Sequence, residues 1–440
     1  MSNLRQALST FDLTMIAIGG TIGSGIFLTP SLIAQQLPSP LWIIGVWLLG
    51  GIMALCGALT FAELGGMIPR AGGMYVYLSE AYGTLVGFLF GWAYFLVVNT
   101  GGIAALSIAF ATYLGFFVPL SPTEIQIAAI TGLASVTALN VFGVKIGGLF
   151  SDVFTVLKLL GIAGVILVGF VWGSSGTMDV GLSLEPTGGL GTALAAAMVG
   201  VLWSYGGWQH ASFTASEAKD PRRSVPLAMV IGASVVAIVY VLTNLAYMFL
   251  LPIPAIAASP RVASDAVSVV FGPIGGSIIA LTIFISTFGT TGIYTLTAPR
   301  IYYAMAVDGV FFKKVAEVHP RYRTPAAAIL IQSSWAVVLI LFWGTFDRLI
   351  SYVVFTDWIF FGLTAASVFV FRKRRPNADR PYKTLGYPFT PLLFLVIALW
   401  FIINTLIEKP EQAWAGLGFL ALGVPVYLYW KNARKTVATP

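Results

Sequence analysis

The chain has 440 residues, 58% of them hydrophobic, 14% aromatic and only 9% charged, with a net charge of +7. A soluble domain carries about 25% charged residues, so a soluble enzyme is excluded. The mean hydropathy of +0.89 comes from apolar runs of roughly twenty residues, each long enough to cross a hydrocarbon core of ~30 Å.

Breaks at polar or Pro/Gly-rich clusters place spans near residues 13–36, 41–66, 83–112, 124–144, 150–173, 190–214, 226–251, 270–305, 325–344, 347–371, 387–407 and 412–430. Twelve spans of ~24 residues leave about 150 positions for loops and termini, too few for an extramembrane domain. The first run begins after Asp12 and continues into further spans without an A-x-A-like cleavage site, so it reads as span one and not as a removable signal. An even number of spans puts both termini on one side of the bilayer. Only Arg261, Arg348 and Lys409 fall on the far side and Lys158 within a span, whereas every other Lys and Arg lies on the terminus side. The positive-inside rule makes that side cytoplasmic. Because the basic residues are scattered over many loops, the net charge is a topology signal, and no nucleic-acid partner is expected. Cys56, the single cysteine, cannot form an intrachain disulfide.

Two spans are poor helices at their centres. Span one carries four glycines in the seven positions from Gly19 to Gly25, each costing about 1 kcal/mol against alanine in a helix interior. Span six reads Trp203-Ser204-Tyr205-Gly206-Gly207-Trp208. Unwound backbone at membrane depth has to be buried in protein or line a cavity. Spans one and six are five apart, the spacing of two five-helix repeats of opposite orientation, which points to a binding site where the breaks face each other. The competing account is that the glycines only permit close helix packing.

These residues resemble the amino acid–polyamine–organocation superfamily, and within it the L-type amino acid transporter family with its bacterial neutral amino acid exchangers. The resemblance runs over most of the chain. It is carried by Gly19 to Phe27, by Ala62-Glu63-Leu64-Gly65 with Ile68-Pro69-Arg70-Ala71-Gly72-Gly73, and by Lys158-Leu159-Leu160. Ser204 to Trp208, the stretch from Glu217 to Pro226, and Pro299-Arg300 followed by Asp308-Gly309 continue it in family order. The implied fold is all-α: a leucine-transporter-like 5+5 inverted repeat with helices one and six broken and two helices appended. On this chain the repeats would run from about 13–173 and 190–371, with the appended pair at 387–430, in a single transmembrane domain.

An amino acid at pH 7 presents a carboxylate and an ammonium, and broken helices can hold both without side-chain charges. The expected carboxylate donors are the N–H groups of Ser24, Gly25 and Ile26, beside Gly23, with the Ser24 hydroxyl. Carbonyls near Ile22 and from Leu202 to Ser204 would receive the ammonium. A hydroxyl bonded back to its own helix is the competing account of Ser24. Trp203 stands where relatives carry a phenylalanine that closes over the substrate, so it is expected to shield the cargo; the alternative is a core or lipid-facing tryptophan. Tyr205 is expected to aim its hydroxyl toward spans one and five.

Lys158 lies ~10 Å inside span five at 1.5 Å per residue, and an intramembrane lysine is a functional candidate. It lies about 120° around the helix from Asp152, which excludes a simple pair. Snorkelling to the interface is the competing account. The resemblance implies that its ammonium occupies the place of the sodium ion of sodium-coupled relatives, bonded near Gly19 or Gly20 and to Tyr205. Asp357, near the middle of span ten, should be protonated or firmly hydrogen-bonded, with structural and proton-coupling roles both open. Glu63 and Glu217 are expected to meet Arg70, Arg222 or Arg300. His210 and His319 lack metal-ligand spacing to Cys56, and no metal or other cofactor is expected.

The function expected is sodium-independent transport, by exchange, of neutral L-amino acids across the cytoplasmic membrane. Neutral cargo is inferred because, beyond Lys158, no acid or base lies beside the breaks in sequence. Proton-coupled uptake on the same fold, through Lys158 or Asp357, is the nearest rival. An intramembrane serine hydrolase built on Ser24 and His210 is the rival from another class, and no third orienting group accompanies them. The partners are amino acid and lipid bilayer. Eukaryotic members pair with a heavy chain through a cysteine between spans three and four; Pro119-Leu120-Ser121-Pro122-Thr123 has none, so no disulfide-linked heavy chain is expected.

Overall fold

A computed structural model describes residues 4–174, 189–343, 346–408 and 410–438, with the side chains of 343–353, 408, 412 and 433–438 excepted. Lys409 therefore lies outside the described residues, as do the side chains of Arg348, Arg434 and Lys435. In chain order the α-helices are α1 (Thr10–Thr21), α2 (Gly25–Gln36), α3 (Pro40–Met67), α4 (Met74–Tyr82), α5 (Thr84–Ala93), α6 (Asn99–Leu114), α7 (Pro122–Val141) and α8 (Val144–Trp172). They continue as α9 (Leu190–Tyr205), α10 (His210–Phe213), α11 (Pro221–Leu250), α12 (Ile253–Ala258), α13 (Val262–Thr297) and α14 (Pro299–Val307). The chain closes with α15 (Ala326–Trp343), α16 (Phe346–Arg374), α17 (Phe389–Glu408) and α18 (Pro410–Ala438). Among the described residues the only β contact is an isolated bridge between Leu8 and Ala218.

Ten helical stretches are long and apolar enough to cross a membrane, and two shorter apolar helices, Leu190–Tyr205 and Ala326–Phe342, accompany them. Their ends follow local chemistry. Ser9 and Asp12 cap α1 reciprocally, at 2.6 and 3.2 Å, and Ser121 with Glu124 does the same for α7 ahead of Pro122. Two helices fall outside the expected spans: α4, between Gly73 and Gly83, and α12, after Pro252. Both are shorter than a membrane crossing, so hydropathy over span-length windows passes them by.

Helix α1 sits at the centre: residues 13–21 are all buried, and it packs against α8, α11 and α13. By contrast α8 turns Leu149, Leu160 and Leu167 outward, as a helix bordering lipid does. A π-helical turn, Tyr94–Val98, joins α5 to α6, and the wider turn re-aims the residues that follow it.

Candidate functional site

Helix α1 ends at Thr21 and α2 restarts at Gly25, with Ile22, Gly23 and Ser24 between them. The N–H groups of Gly25 and Ile26 open α2 and have no carbonyl one turn back inside that helix. Ser24 is 1% exposed, makes no side-chain cap bond, and its Oγ has no partner among the described residues. It is therefore not bonded back to its own helix. Ile26 is fully buried, its carbonyl accepting from the Tyr247 hydroxyl at 3.3 Å.

Helix α9 ends at Tyr205, and α10 begins at His210. Gly207 has φ +133, and a Cβ there would lie 2.3 Å from the Gly20 carbonyl oxygen. A Cβ on Gly25 would lie 2.4 Å from Ser204 Oγ and 2.7 Å from Ser204 Cα. The two interruptions therefore touch, and glycine is what permits it. Ser204 donates to Gly200 O at 2.7 Å and meets Thr29 Oγ1 at 3.0 Å, which pins α9 against α2. Leu202 is buried, and Trp203 is half-buried and packs against two apolar clusters.

Lys158, fully buried in α8, donates to Gly19 O at 2.9 Å, Ile22 O at 2.7 Å and Thr290 Oγ1 at 2.7 Å. All three ammonium protons are used, so the side chain does not snorkel. It ties α8 to the broken end of α1 and, through Thr290, to α13. Tyr205 takes no part: its hydroxyl donates to Trp47 O in α3 at 2.9 Å, instead of facing spans one and five. Position on the helix decides this, because the end of α9 packs against α3 and leaves α8 to other neighbours. Ile22 O also accepts from Thr290 Oγ1 at 2.9 Å and Ser286 Oγ at 3.2 Å, so its two lone pairs are already spoken for. Gly23 O accepts from Ser286 Oγ at 3.0 Å. Sequence reasoning missed Ser286 and Thr290. Their signal is the i, i+4 spacing of hydroxyls that puts both on one face of α13.

Asp357 stands in α16 with Oδ1 buried and without a hydrogen-bond partner among the described residues, so a firm hydrogen bond on that oxygen is not found. It lines a cavity of about 30 Å³ together with Trp203, Leu202 and Gly206. An acid therefore does lie beside the second break, contrary to the expectation from sequence. It comes there because α16 packs against α9 and α6, a juxtaposition of residues far apart in the chain.

On the terminus side, Glu217 and Arg300 form a fully buried pair at 2.6 and 2.9 Å, and Arg300 also donates to Leu296 O. Glu63 does not meet Arg70 or Arg222. It pairs with Arg372 at 2.7 Å and Arg380 at 3.2 Å and accepts from Thr384 N at 2.8 Å. The segment after α16 folds back over the end of α3, while Arg70 pairs with Glu80 and Arg222 with Asp379. His210 Nδ1 meets Thr297 Oγ1 at 2.5 Å and Nε2 meets the Tyr94 hydroxyl at 3.3 Å. With both ring nitrogens engaged, it forms no nucleophile–base pair with Ser24.

A family model described as amino acid permease matches residues 8–424. The "Serine/threonine exchanger SteT" of Bacillus subtilis (strain 168) is 32% identical over 429 residues, covering 97% of this chain and 96% of that protein. The "b(0,+)-type amino acid transporter 1" of Homo sapiens is 31% identical over 418 residues, covering 93% and 84%. The "Large neutral amino acids transporter small subunit 2" of Mus musculus is 31% identical over 457 residues, covering 98% and 83%. These are transporters and not enzymes. The chain, a multi-pass membrane protein, belongs to the amino acid permease family, within the amino acid–polyamine–organocation superfamily and its L-type amino acid transporter branch.

Proposed function

We propose that this protein exchanges neutral L-amino acids across the cytoplasmic membrane, independently of sodium, by alternating access. The names of its relatives, a serine/threonine exchanger and a large neutral amino acids transporter among them, support exchange and neutral cargo. In this reading the fold is a leucine-transporter-like 5+5 inverted repeat of twelve spans. Repeat one occupies about 13–173, repeat two about 190–371, and α17 and α18 are the appended helices of one transmembrane domain. Both termini are cytoplasmic, in keeping with the excess of Lys and Arg on their side. No disulfide-linked heavy chain is involved, since residues 119–123 carry no cysteine.

The observation that carries the proposal is the meeting of the two helix breaks, Gly20 against Gly207 and Gly25 against Ser204, with Lys158 clasped behind them. The substrate carboxylate is held by the N–H groups of Ser24, Gly25 and Ile26 and by the Ser24 hydroxyl, whose oxygen has no partner among the described residues. Because Ile22 O is occupied, the ammonium goes to the last carbonyls of α9, from Leu202 to Ser204, where the partial negative charge of a helix end favours it. Trp203 covers the cargo. The Lys158 ammonium supplies the fixed positive charge that a bound sodium ion would otherwise bring, and this makes transport indifferent to sodium. Proton-coupled uptake is the second reading, and what favours it is the Oδ1 of Asp357, which has no partner among the described residues.

The test is counterflow of a panel of twenty labelled amino acids in proteoliposomes, with sodium or choline outside and with or without a proton gradient. Exchange that requires amino acid on the opposite side, with no response to sodium or to the gradient, is expected. Uptake that follows the gradient into empty vesicles would replace this reading with the proton-coupled one.

A further inference from the structure

Helices α6, α7 and α13 pack side by side and leave between them a groove of about 500 Å³. Its floor is apolar: the centre of the Phe110 ring lies 4.8 Å from that of Phe284 and 5.2 Å from that of Phe288. Phe110 comes close to α7 because Gly132 has no side chain, a Cβ there falling 2.5 Å from the ring. The hydroxyls of the wall are already satisfied. Thr131 Oγ1 donates to Ile127 O at 2.8 Å and Ser135 Oγ to Thr131 O at 2.9 Å, so what fills the groove has no hydrogen bond to supply. Glu124, in the first turn of α7, stands at one end of the lining and Ser135, three turns further along the helix, at the other. At 1.5 Å per residue the interval is ~16 Å, half of a hydrocarbon core of ~30 Å. The groove therefore runs from the interface away from the termini to the middle of the bilayer, the reach of one leaflet's acyl chains. Ile127 and Thr131 in its lining are exposed, which opens it sideways to lipid.

We propose that this groove is a binding site for a phospholipid of the leaflet away from the termini, with one acyl chain along Phe110, Phe284 and Phe288 and an ammonium-bearing headgroup at Glu124. The acyl chain follows from the depth of the groove and from its satisfied hydroxyls. Lipid tails are as apolar as the rings, so the gain is van der Waals contact, and a chain between three helices finds partner atoms that an unfilled groove would forfeit. The headgroup follows from charge. Glu124 Oε2 accepts from Ser121 N and Ser121 Oγ, both at 2.7 Å, and none of the ion pairs among the described residues includes Glu124. Arg261, a basic residue on the same side of the bilayer, stands over the Phe116 ring at 5.5 Å, and neither belongs to the groove lining. A carboxylate at the mouth attracts an ammonium and repels a headgroup of net negative charge. The floor joins the apolar cluster against which Trp203 also packs, so the bound chain braces α6 against α13 there. The inference rests on the membrane-spanning fold and is independent of the cargo.

The experiment uses the full chain in proteoliposomes with a phosphatidylethanolamine probe whose acyl chain carries a diazirine; peptide mass spectrometry locates the labels after illumination. Labels should fall around Phe110, Ala128 and Phe284 about tenfold more heavily than on the outward α8 residues Leu149, Leu160 and Leu167, a ratio that corresponds to about 1.4 kcal/mol. Ala128→Phe places a ring in the groove, since Ala128 lines it, and should remove the groove labels while leaving those on α8. Competition by unlabelled lipid reads the headgroup. Phosphatidylethanolamine should displace the probe about threefold better than phosphatidylglycerol, because an exposed ion pair is weak. Glu124→Gln, which can still accept from Ser121 N, should remove that preference and keep the groove labels. Labels spread evenly over α8 and the groove would mean bulk lipid only, and groove labels that persist in Ala128→Phe would put the chain elsewhere; either overturns the proposal. Phosphatidylglycerol that competes as well as phosphatidylethanolamine for the native protein, or a preference that Glu124→Gln leaves unmoved, overturns the role of Glu124. Should Ala128→Phe fail to insert, the native map against α8 decides, because it needs no variant.

Discussion

Replacing Lys158 with methionine keeps the stem but removes the ammonium, and with it three hydrogen bonds to Gly19 O, Ile22 O and Thr290 Oγ1. A bond to a charged group is worth ~1.5–3 kcal/mol net. Here the acceptors are not all orphaned, because Thr290 Oγ1 also lies 2.9 Å from both carbonyls and Ser286 reaches Ile22 O. The low end applies, and the loss is about 4 kcal/mol, large enough to lower the melting temperature by several degrees. Stability alone does not test function. If the clasp were equally intact throughout the transport cycle, turnover per folded molecule would be unchanged. If it holds α1 in this arrangement and loosens as α1 moves, the balance between states shifts and turnover falls by tenfold or more. The measurement is counterflow in proteoliposomes, normalised to folded protein by size-exclusion chromatography, in sodium and in choline. Turnover of Lys158→Met within twofold of native would return Lys158 to a packing role, and sodium stimulation of the native protein would refute the idea that its charge makes sodium redundant.

Ser24→Ala should raise the apparent KM by about tenfold or less, because one hydroxyl is lost while backbone donors remain. Gly25→Val should abolish uptake, since even its Cβ would collide with Ser204; equal and mild effects from the two would rule out the broken-helix site. Trp203→Phe and Trp203→Ala should shift preference toward bulkier neutral side chains, and an unchanged selectivity order in a competition panel would place this ring outside the pocket. Glu217→Gln leaves Arg300 buried and short of its partner, which should cost 3–5 kcal/mol and show as a lower melting temperature. Pairing it with Arg300→Met should recover part of the loss, and no recovery would argue against the pair as the cause.

The glycine clusters at 19–25 and 206–207 announced both breaks because helix propensity and membrane burial are local properties, readable over a few residues. Lys158 stood out for the same reason: one charge in an apolar run needs no structure to be conspicuous. The direction of a side chain is a different matter. Tyr205 bonds to Trp47 O and not to Lys158, and each step along a helix turns the side chain by about 100°, so its direction depends on the exact register of α9. The partners of Glu63 come from the last turn of α16 and the segment after it, more than three hundred positions away in sequence, and only the packing of α3 against α16 selects them. Asp357 and Asn99 come to line one cavity for a similar reason, with the π-helical turn at Tyr94–Val98 shifting the phase of α6 in a way that 3.6-residue periodicity does not anticipate.

The contacts around the breaks also say what a transport cycle must do. A carboxylate needs its oxygen about 2.7–2.9 Å from the N–H groups that bind it. Yet a Cβ on Gly25 would already overlap Ser204, and one on Gly207 the backbone of Gly20, so the facing breaks leave no interval for a substrate between them at these points. On the terminus side Ala7 N and Leu8 N donate to Glu217 O and Lys219 N donates to Leu8 O, all at 2.9 Å, next to the Glu217–Arg300 pair. At the other end Ser31 Oγ and Gln35 Nε2 both donate to Ala257 O, at 3.0 and 2.8 Å, tying α2 to α12. In the proposed alternating-access cycle, one set of ties opens while the other holds. There the substrate favours the opening by bringing a carboxylate to the N–H groups that start α2 and an ammonium to the last carbonyls of α9. The clasp at Lys158 joins the broken end of α1 to α8 and α13, so in the proposed cycle any movement of α1 has to break it or carry α8 and α13 along.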